Sequence, residues 1–258
     1  MDRASGFGED SKNFEDTGGL RVRIPSGSLF LMVILEIYSL LLNKYRRQLW
    51  WPVTEEGQIK PEYTGGPKND KQRLEVAIGA VLTQNTSWKN AEKAIMNLNR
   101  KSLIDIEKIK KIGIKELDEV VRPSGFYRQK TERLKLLAEF LESRDFSSIK
   151  REELIRIKGI GPETADSILL YACGKPEFVV DAYTKRIFNR LGLINTENYE
   201  EVKRLFQRAL TGNNNLIQTY QEFHALIVEH AKQHCKKEPE CASCPIKKEC
   251  NYYKQLKQ

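Results

Sequence analysis

Residues 155–165 read Ile-Arg-Ile-Lys-Gly-Ile-Gly-Pro-Glu-Thr-Ala, a pattern that predicts two helices joined by a tight turn. Gly159 and Gly161 let the backbone turn sharply, and Pro162 suits the first turn of the second helix. The amide groups at the start of that helix point outward from a positive helix end, which favours a bound phosphate. The alternative is an ordinary corner between two helices with a glycine cap.

Helical periodicity extends outward from this hairpin. Beyond residue 70, apolar residues recur at i, i+3, i+4 and i+7, and the breaks carry Gly, Pro or Asn, whereas strand patterns are nearly absent. The fold class is therefore predicted to be all-α. The predicted helices cover residues 71–84, 88–98, 105–110, 115–121, 125–142, 151–156, 162–173, 181–191, 198–210 and 216–234.

Linkers that carry Pro and Gly divide the chain at residues 52–69 and near 174–176. We expect a helical domain over residues 70–176, which contains the hairpin within 151–173. A second helical domain is expected from the discontinuous segments 28–69 and 177–258. Residues 1–27 are rich in Gly, Asp and Ser without periodicity, and we expect a disordered tail there.

The composition allows a globular enzyme and favours an anionic partner such as nucleic acid. The 258 residues include 43 Lys and Arg against 35 Asp and Glu, a formal net charge of +8. The apolar run Ser28–Leu42 follows two arginines like a signal peptide, but it contains Glu36 and is shorter than the about 20 residues that span a bilayer. A buried helix is favoured, so we expect no membrane contact. Four of the five cysteines lie within residues 235–250, which favours metal ligation in a reducing compartment, so we expect an intracellular protein, associated with the nucleoid in a prokaryote.

A single carboxylate follows the hairpin in the segment Phe178-Val-Val-Asp-Ala-Tyr-Thr-Lys-Arg186. Asp181 comes after an apolar run and at the start of a predicted helix. An aspartate there caps the helix by accepting hydrogen bonds from its first amides. That structural role is compatible with a chemical one.

These segments resemble the endonuclease III-like helix-hairpin-helix DNA glycosylases. The hairpin, the Asp181 segment, Leu82-Thr-Gln-Asn-Thr86 and four cysteines near the C-terminus follow one another in the family's order over about residues 45–250. The resemblance implies a monomer that acts on double-stranded DNA containing damaged bases, with Asp181 as the catalytic acid that stabilises an oxocarbenium-like sugar. A fixed anion beside a sugar that gains positive charge binds the transition state more tightly than the ground state.

The hairpin departs from the pattern of the strand-nicking members of that family. Those enzymes carry a lysine in the second helix, and this chain has Glu163 at the matching position. A carboxylate cannot form the imine that the lyase step needs, so a monofunctional glycosylase is predicted. Lys158 precedes the turn and would have to reach across the hairpin to act as the nucleophile. The alternative role for Glu163 is that of a solvated acid at the start of a helix.

All three tryptophans of the chain lie beside these motifs. Trp50, Trp51 and Trp88 could stack on an extruded base, and a positively charged methylated purine would gain about 0.5–2 kcal/mol from their faces. Their positions resemble the pocket of the 3-methyladenine and N-methylpurine glycosylase branch, which implies a pocket role for Glu163 as well. The alternative role of the three tryptophans is that of core aromatic residues. The alternative functions of the protein are a mismatch glycosylase for thymine, uracil or adenine, and a DNA-binding protein without catalysis.

Several other residues are candidates for DNA contacts. Gln84 and Asn85 have the amide chemistry to fill the space that an extruded base leaves. Gly125 marks a second turn against the DNA backbone, and surrounding basic residues are candidates for phosphate contacts, with solvated surface charge as the alternative. The predicted DNA-binding set is Gln84, Asn85, Gly125, Lys158, Gly159, Gly161 and Thr164, with Arg122, Arg128 and Lys130 as further candidates.

The C-terminal cysteines have metal-ligand spacing. Cys235-x5-Cys241-x2-Cys244-x5-Cys250 places four thiols in a short basic segment, where ligation would stabilise the loop. Zinc ribbons bring together two C-x2-C pairs, whereas here one pair is flanked by single cysteines. The spacing resembles the family's [4Fe–4S] loop with one residue fewer in the first gap, so a structural [4Fe–4S] cluster is expected, with zinc as the alternative.

Overall fold

A computed structural model describes residues 27–212 and 214–257, and these form an all-α fold, as predicted. Within these ranges no strand is present, and Val53 and Glu62 form an isolated antiparallel bridge. The expected tail lies outside the described residues, except for Gly27, with which the first helix begins.

Twelve α-helices are found in the described part of the chain. A 3₁₀ turn covers Arg122–Ser124, and a π-helical segment covers Ile168–Ala172. The helices are α1 Gly27–Tyr45, α2 Asp70–Leu82, α3 Trp88–Arg100, α4 Ile106–Lys111, α5 Ile114–Val121, α6 Tyr127–Leu141, α7 Arg151–Ile155, α8 Pro162–Ser167, α9 Ala182–Leu191, α10 Tyr199–Leu210, α11 Leu216–Gln233 and α12 Asn251–Gln255.

The apolar run near the N-terminus is a buried helix, as expected. Phe30, Ile34, Ile37 and Leu41 of α1 follow one another at helical spacing, and each is almost fully buried. This face packs against α10 and α11, so the N-terminal helix lies on the C-terminal part of the chain. Among the described residues, no helix has the length and apolar character needed to cross a membrane. The division into two domains stays a prediction.

A buried ion-pair network attaches the hairpin to α10. The Asp166 carboxylate of α8 is fully buried and accepts hydrogen bonds from Arg151 Nε (2.7 Å), Lys203 Nζ (2.8 Å) and the Tyr199 hydroxyl (2.8 Å). A buried charge with all of these partners is stable, whereas removal of one partner would leave an uncompensated charge. The network therefore holds α7 and α8 at a defined place beside the segment that leads to Asp181.

Candidate active site

One cavity of about 950 Å³ brings together the five residues that the sequence assigned to chemistry and base binding. Trp50, Trp51, Trp88, Glu163 and Asp181 all line it. Its wall also contains groups that the motifs did not indicate, among them Tyr63, His224, Glu229 and Lys232.

The three tryptophans form one aromatic wall. Trp88 lies edge-on to Trp51 and Trp50, with ring centroids 5.7 Å and 5.0 Å away. Trp51 is 4% exposed and belongs to the core, whereas Trp50 and Trp88 are half-buried. The Trp51 indole lies on Gly79 of α2, where a Cβ atom would stand 3.1 Å from Nε1. The absence of a side chain at Gly79 therefore allows the Trp51 indole to pack directly against the backbone of α2.

Asp181 caps the N-terminus of α9, as the sequence predicted. Its Oδ1 accepts hydrogen bonds from the Thr184 amide (2.7 Å) and the Thr184 hydroxyl (2.8 Å). Its Oδ2 faces His224, whose Nε2 lies 3.7 Å away. Burial by itself would raise the pKa of Asp181, but His224 and the two Thr184 contacts outweigh it and lower that pKa below its usual value. Asp181 is therefore an anion at neutral pH.

Glu163 lies in the first turn of α8, at the mouth of the same cavity. Desolvation by the surrounding protein and the negative charge of Asp181 raise the pKa of Glu163 to about 7, against the opposing effects of His224 and Lys185. Glu163 is also exposed to solvent, which screens these charges. Two neighbouring carboxyls thus have pKa values that are pushed apart.

The loop after α2 is tied to the hairpin through Gln84. Gln84 Nε2 donates to Gly159 O (3.0 Å) and Thr164 Oγ1 (2.8 Å), and its Oε1 accepts from Arg133 Nη1 at 2.5 Å. Asn85 is exposed, has φ +52° and lines the cavity. Of the two amides, Asn85 is therefore the one that is exposed at the cavity.

Lys130 was a candidate for phosphate contact, but the structure places it in the interior. It does not face solvent as a phosphate contact would, because its side chain is fully buried under the turn at Gly125. Its Nζ donates to Leu82 O (2.8 Å) and Ser124 O (2.6 Å), so one ammonium joins the end of α2 to the 3₁₀ turn. Burial and the nearby charge of Arg133 lower the pKa of Lys130 to about 8. Above it, Gly125 has φ +68° and the Phe126 side chain is exposed.

The hairpin turn itself is exposed. Gly159 has φ +84°, and a Cβ atom there would overlap the Arg133 side chain, so glycine is required for this close approach. Gly161 caps α8 and has open space beside it. Lys158 projects toward Glu132 of α6, with its Nζ 2.8 Å from Oε1, and is not among the residues that line the cavity. Arg122 and Arg128 are exposed, as expected of phosphate contacts or surface charges.

The four C-terminal cysteines line one cavity with Arg190 of α9. Arg190 Nη1 donates to Cys235 Sγ (3.3 Å) and Lys236 O (2.6 Å), and the Cys250 thiol donates to Arg190 O (3.4 Å). Among residues 27–212 and 214–257, no three or more His, Cys, Asp or Glu side chains are grouped closely enough to ligate a single metal ion. Four thiols around a shared cavity fit the donor set of a [4Fe–4S] cluster, because each thiolate then binds a different iron atom.

Sequence reasoning missed His224 and Tyr171. Tyr171 is buried in the π-helical segment, and its hydroxyl lies 2.8 Å from His224 Nδ1. The two residues are 53 positions apart, so helical periodicity gives no sign of the contact. The one available signal is that all three histidines of the chain fall on α11 or at its end.

Comparison with known proteins matches residues 78–211 to the HhH-GPD superfamily of base excision DNA repair proteins. A protein of Methanocaldococcus jannaschii that carries the name DNA repair glycosylase is 43% identical over 230 residues, which cover 84% of this chain and 96% of the relative. Endonuclease III of Thermotoga maritima is 31% identical over 199 residues, with 73% and 88% coverage.

Two solved structures are also similar. The Helicobacter pylori 3-methyladenine DNA glycosylase bound to 1,N6-ethenoadenine aligns with a TM-score of 0.64 at 33% identity, over 79% of this chain and 97% of that one. A non-covalent endonuclease III–DNA complex aligns with a TM-score of 0.70 at 20% identity, over 88% and 98%. At that identity the second match shows a shared fold.

Proposed function

The chain belongs to the HhH-GPD superfamily of base excision DNA repair proteins and is a DNA glycosylase, and we propose that it is a monofunctional one that removes alkylated purines. The observation that carries the proposal is the shared cavity, in which an ionised Asp181 lies with an aromatic wall and with Glu163 in the first turn of α8. The likeness to the H. pylori 3-methyladenine enzyme supports the same lesion class.

Asp181 would act on the sugar. As the bond between C1′ and the base breaks, positive charge develops on the ribose, and a preorganised anion stabilises that charge. The oxygen of a water molecule bonds to C1′, and its proton passes to Asp181 or to solvent. Since Oδ1 is occupied by Thr184, Oδ2 is the oxygen that is free to serve the sugar.

The aromatic wall would hold the base. Trp50 and Trp88 are half-buried and can present their faces to an extruded purine, and a cationic ring gains about 0.5–2 kcal/mol over such a face. The carboxyls of Asp181 and Glu163 in the same cavity also favour a positively charged base. An alkylated purine already carries that positive charge and leaves as a neutral base, so it needs no proton from the enzyme.

The lyase step is expected to be absent. Glu163 stands where the strand-nicking enzymes have their lysine, and Lys158 is paired with Glu132 outside the cavity. Two other lysines, Lys89 and Lys232, line the cavity, and Lys232 Nζ lies 5.9 Å from the Trp50 ring centroid. A trapping experiment on the wild-type protein therefore tests every amine of the cavity at once.

DNA contact is proposed for the exposed hairpin residues Lys158, Gly159 and Gly161, for Asn85, and for the turn at Gly125, while Gln84 and Thr164 would hold the loop to the hairpin. Cys235, Cys241, Cys244 and Cys250 would hold a [4Fe–4S] cluster that stabilises their loop. We propose that the protein acts as a monomer.

The test is release of methylated purines from alkylated double-stranded DNA, with Asp181→Asn beside Asp105→Asn. Both aspartates cap a helix, since Asp105 Oδ1 accepts from the Lys108 amide at 2.9 Å, and asparagine caps equally well. Of these two aspartates, Asp181 lines the cavity that contains Trp50, Trp88 and Glu163, which we call the base cavity, and Asp105 does not. We expect Asp181→Asn to lower the rate by about 10²–10³-fold and Asp105→Asn to leave it unchanged. Equal rates for wild type and Asp181→Asn would overturn the catalytic role.

The products decide the remaining points. We expect strand breaks only after alkali treatment and no covalent adduct after borohydride reduction. A trapped adduct would show that a cavity lysine attacks the sugar. Release of a base from G·T, G·U or adenine mispairs, without release of methylated purines, would assign the enzyme to mismatch repair instead.

A further inference from the structure

His224 lies between the base cavity and the buried aromatic residue Tyr171. It is 7% exposed, it belongs to α11, and its Nε2 faces Asp181 Oδ2 at 3.7 Å. No sequence motif includes it, and the inference below rests on the proposed role of Asp181.

The hydrogen bonds of Tyr171 decide which nitrogen of His224 carries a proton. The Tyr171 hydroxyl lies 3.0 Å from the backbone carbonyl of Gln221 and 2.8 Å from His224 Nδ1. A carbonyl can only accept, so the single hydroxyl hydrogen goes to Gln221 O. The hydroxyl oxygen then accepts from Nδ1–H. Nδ1 is therefore protonated, and Nε2 is the nitrogen that is left to meet Asp181.

The π-helical segment explains why Tyr171 can reach this position. Ile168–Ala172 follows α8 and contains one widened turn, and its Leu170 carbonyl accepts from Gln221 Nε2 at 3.0 Å. Two contacts thus join this segment to Gln221 of α11, one through the backbone carbonyl and one through the side chain. Widened turns of this kind occur often at functional sites. In this protein the π-helical segment contacts His224 through Tyr171, so it orients the His224 imidazole.

With Nδ1 protonated, the contact with Asp181 depends on a second proton. A neutral His224 would turn the lone pair of Nε2 toward the carboxylate, whereas the imidazolium turns an N–H toward it. At 3.7 Å the imidazolium acts as a nearby charge and leaves Oδ2 available for the sugar. Thr184 fixes the other oxygen, so both sides of the carboxylate are defined.

We propose that His224, oriented by Tyr171, is a positioning residue whose imidazolium form favours the ionised form of Asp181 and directs Oδ2 into the base cavity. The other charged or titratable groups around this pair are Glu163 of α8, Lys185 of α9, Tyr171 of the π-helical segment, and Glu222, Glu229 and Lys232 of α11. Among these groups, Glu163 has its pKa raised to about 7, so its titration would add a second change to a pH profile of the site.

The experiment is a single-turnover pH profile in a Glu163→Gln background, so that the titration of Glu163 does not contribute to the profile. Activity falls at acid pH as Asp181 becomes protonated. His224→Leu removes the cation that lowers the pKa of Asp181, so we expect the acid limb to move to higher pH. Loss of packing alone would lower the plateau and leave the limb in place.

Two further variants test the orientation of the ring. Tyr171→Phe removes the acceptor of Nδ1–H, and we expect a smaller shift of the acid limb in the same direction. Tyr45→Phe is the matched control, because Tyr45 makes the same kind of contact with His230 Nδ1 (2.9 Å) on the same helix, remote from Asp181. We expect its acid limb to coincide with that of the parent.

An acid limb of His224→Leu that coincides with the parent would overturn the proposal. Binding of DNA with an abasic site shows whether that variant folds; if it does not, an unshifted limb of Tyr171→Phe overturns the proposal instead. The profile can be recorded on any damaged base that the wild type excises, so an error in the proposed lesion class would leave this test intact. If Asp181→Asn keeps the wild-type rate, it is the proposed function that fails.

Discussion

Replacement of Lys130 by methionine should change the stability of the protein in a way that depends strongly on pH. Two terms oppose each other at neutral pH. The variant loses two hydrogen bonds and leaves the carbonyls of Leu82 and Ser124 without that donor, at a cost of about 1–3 kcal/mol for each. It also removes a buried cation whose ionisation costs at most about 3 kcal/mol, since the pKa of Lys130 falls from 10.5 to about 8.

The sign of the pH effect follows from the direction of that shift. The folded protein releases the Lys130 proton at a lower pH than the unfolded chain, so the unfolded chain binds more protons between about pH 8 and pH 10.5. The free energy of unfolding of the wild type therefore rises as the pH increases through that window, relative to a variant that lacks the amine. The neutral amine still donates to both carbonyls. We expect Lys130→Met to be nearly neutral at about pH 7 and destabilising by about 2–3 kcal/mol at about pH 10.

Urea unfolding followed by tryptophan fluorescence measures this difference. The matched control is Lys135→Met, because Lys135 is also on α6 and donates to two backbone carbonyls, Lys110 O (2.8 Å) and Ile112 O, away from the DNA-facing turns. A free-energy difference between wild type and Lys130→Met that is the same at both pH values would refute the reasoning, since Lys130 would then not be a buried cation.

Three other perturbations have defined outcomes. Gly79→Ala should gain no stability in urea unfolding despite the about 1 kcal/mol that alanine normally adds in a helix, and should slow base release, because its Cβ presses on Trp51. Gly159→Ala should weaken binding of abasic-site DNA, since φ +84° disfavours alanine and Arg133 is displaced, whereas Gly161→Ala, with open space around it, should bind normally. Cys244→Ser should lose bound iron and visible absorbance, and Cys173→Ser, in the core, should keep both.

Local chemistry made much of this architecture predictable. The cap at Asp181 and the glycine turn at Gly159 follow from interactions within a few residues, and the helices follow from apolar periodicity. The helix predicted over 125–142 begins at Tyr127, because Gly125 and Phe126 both have positive φ. The widened turn that ends the helix predicted over 162–173 has no local signature of this kind.

Long-range pairing was not predictable. Lys130 was expected at the surface because lysine usually is, but two carbonyls 48 and 6 residues away offer it acceptors in the interior. Gln84 was expected to fill the space that an extruded base leaves, and its amide also donates to Thr164 Oγ1, 80 residues away. Such contacts depend on how helices pack, and the spacing of residues along one helix carries no information about them.

The helix α9 connects the two features that the sequence emphasised most. Asp181 caps its N-terminus, and further along the same helix Arg186 Nε donates to Cys235 O (3.0 Å) and Arg190 donates to Cys235 Sγ. Ten residues of α-helix are about 15 Å long and behave as a rigid rod. In the proposed mechanism, a change in the cysteine loop would reach Asp181 through α9. The cysteines would then affect the rate of base removal without a chemical part in it.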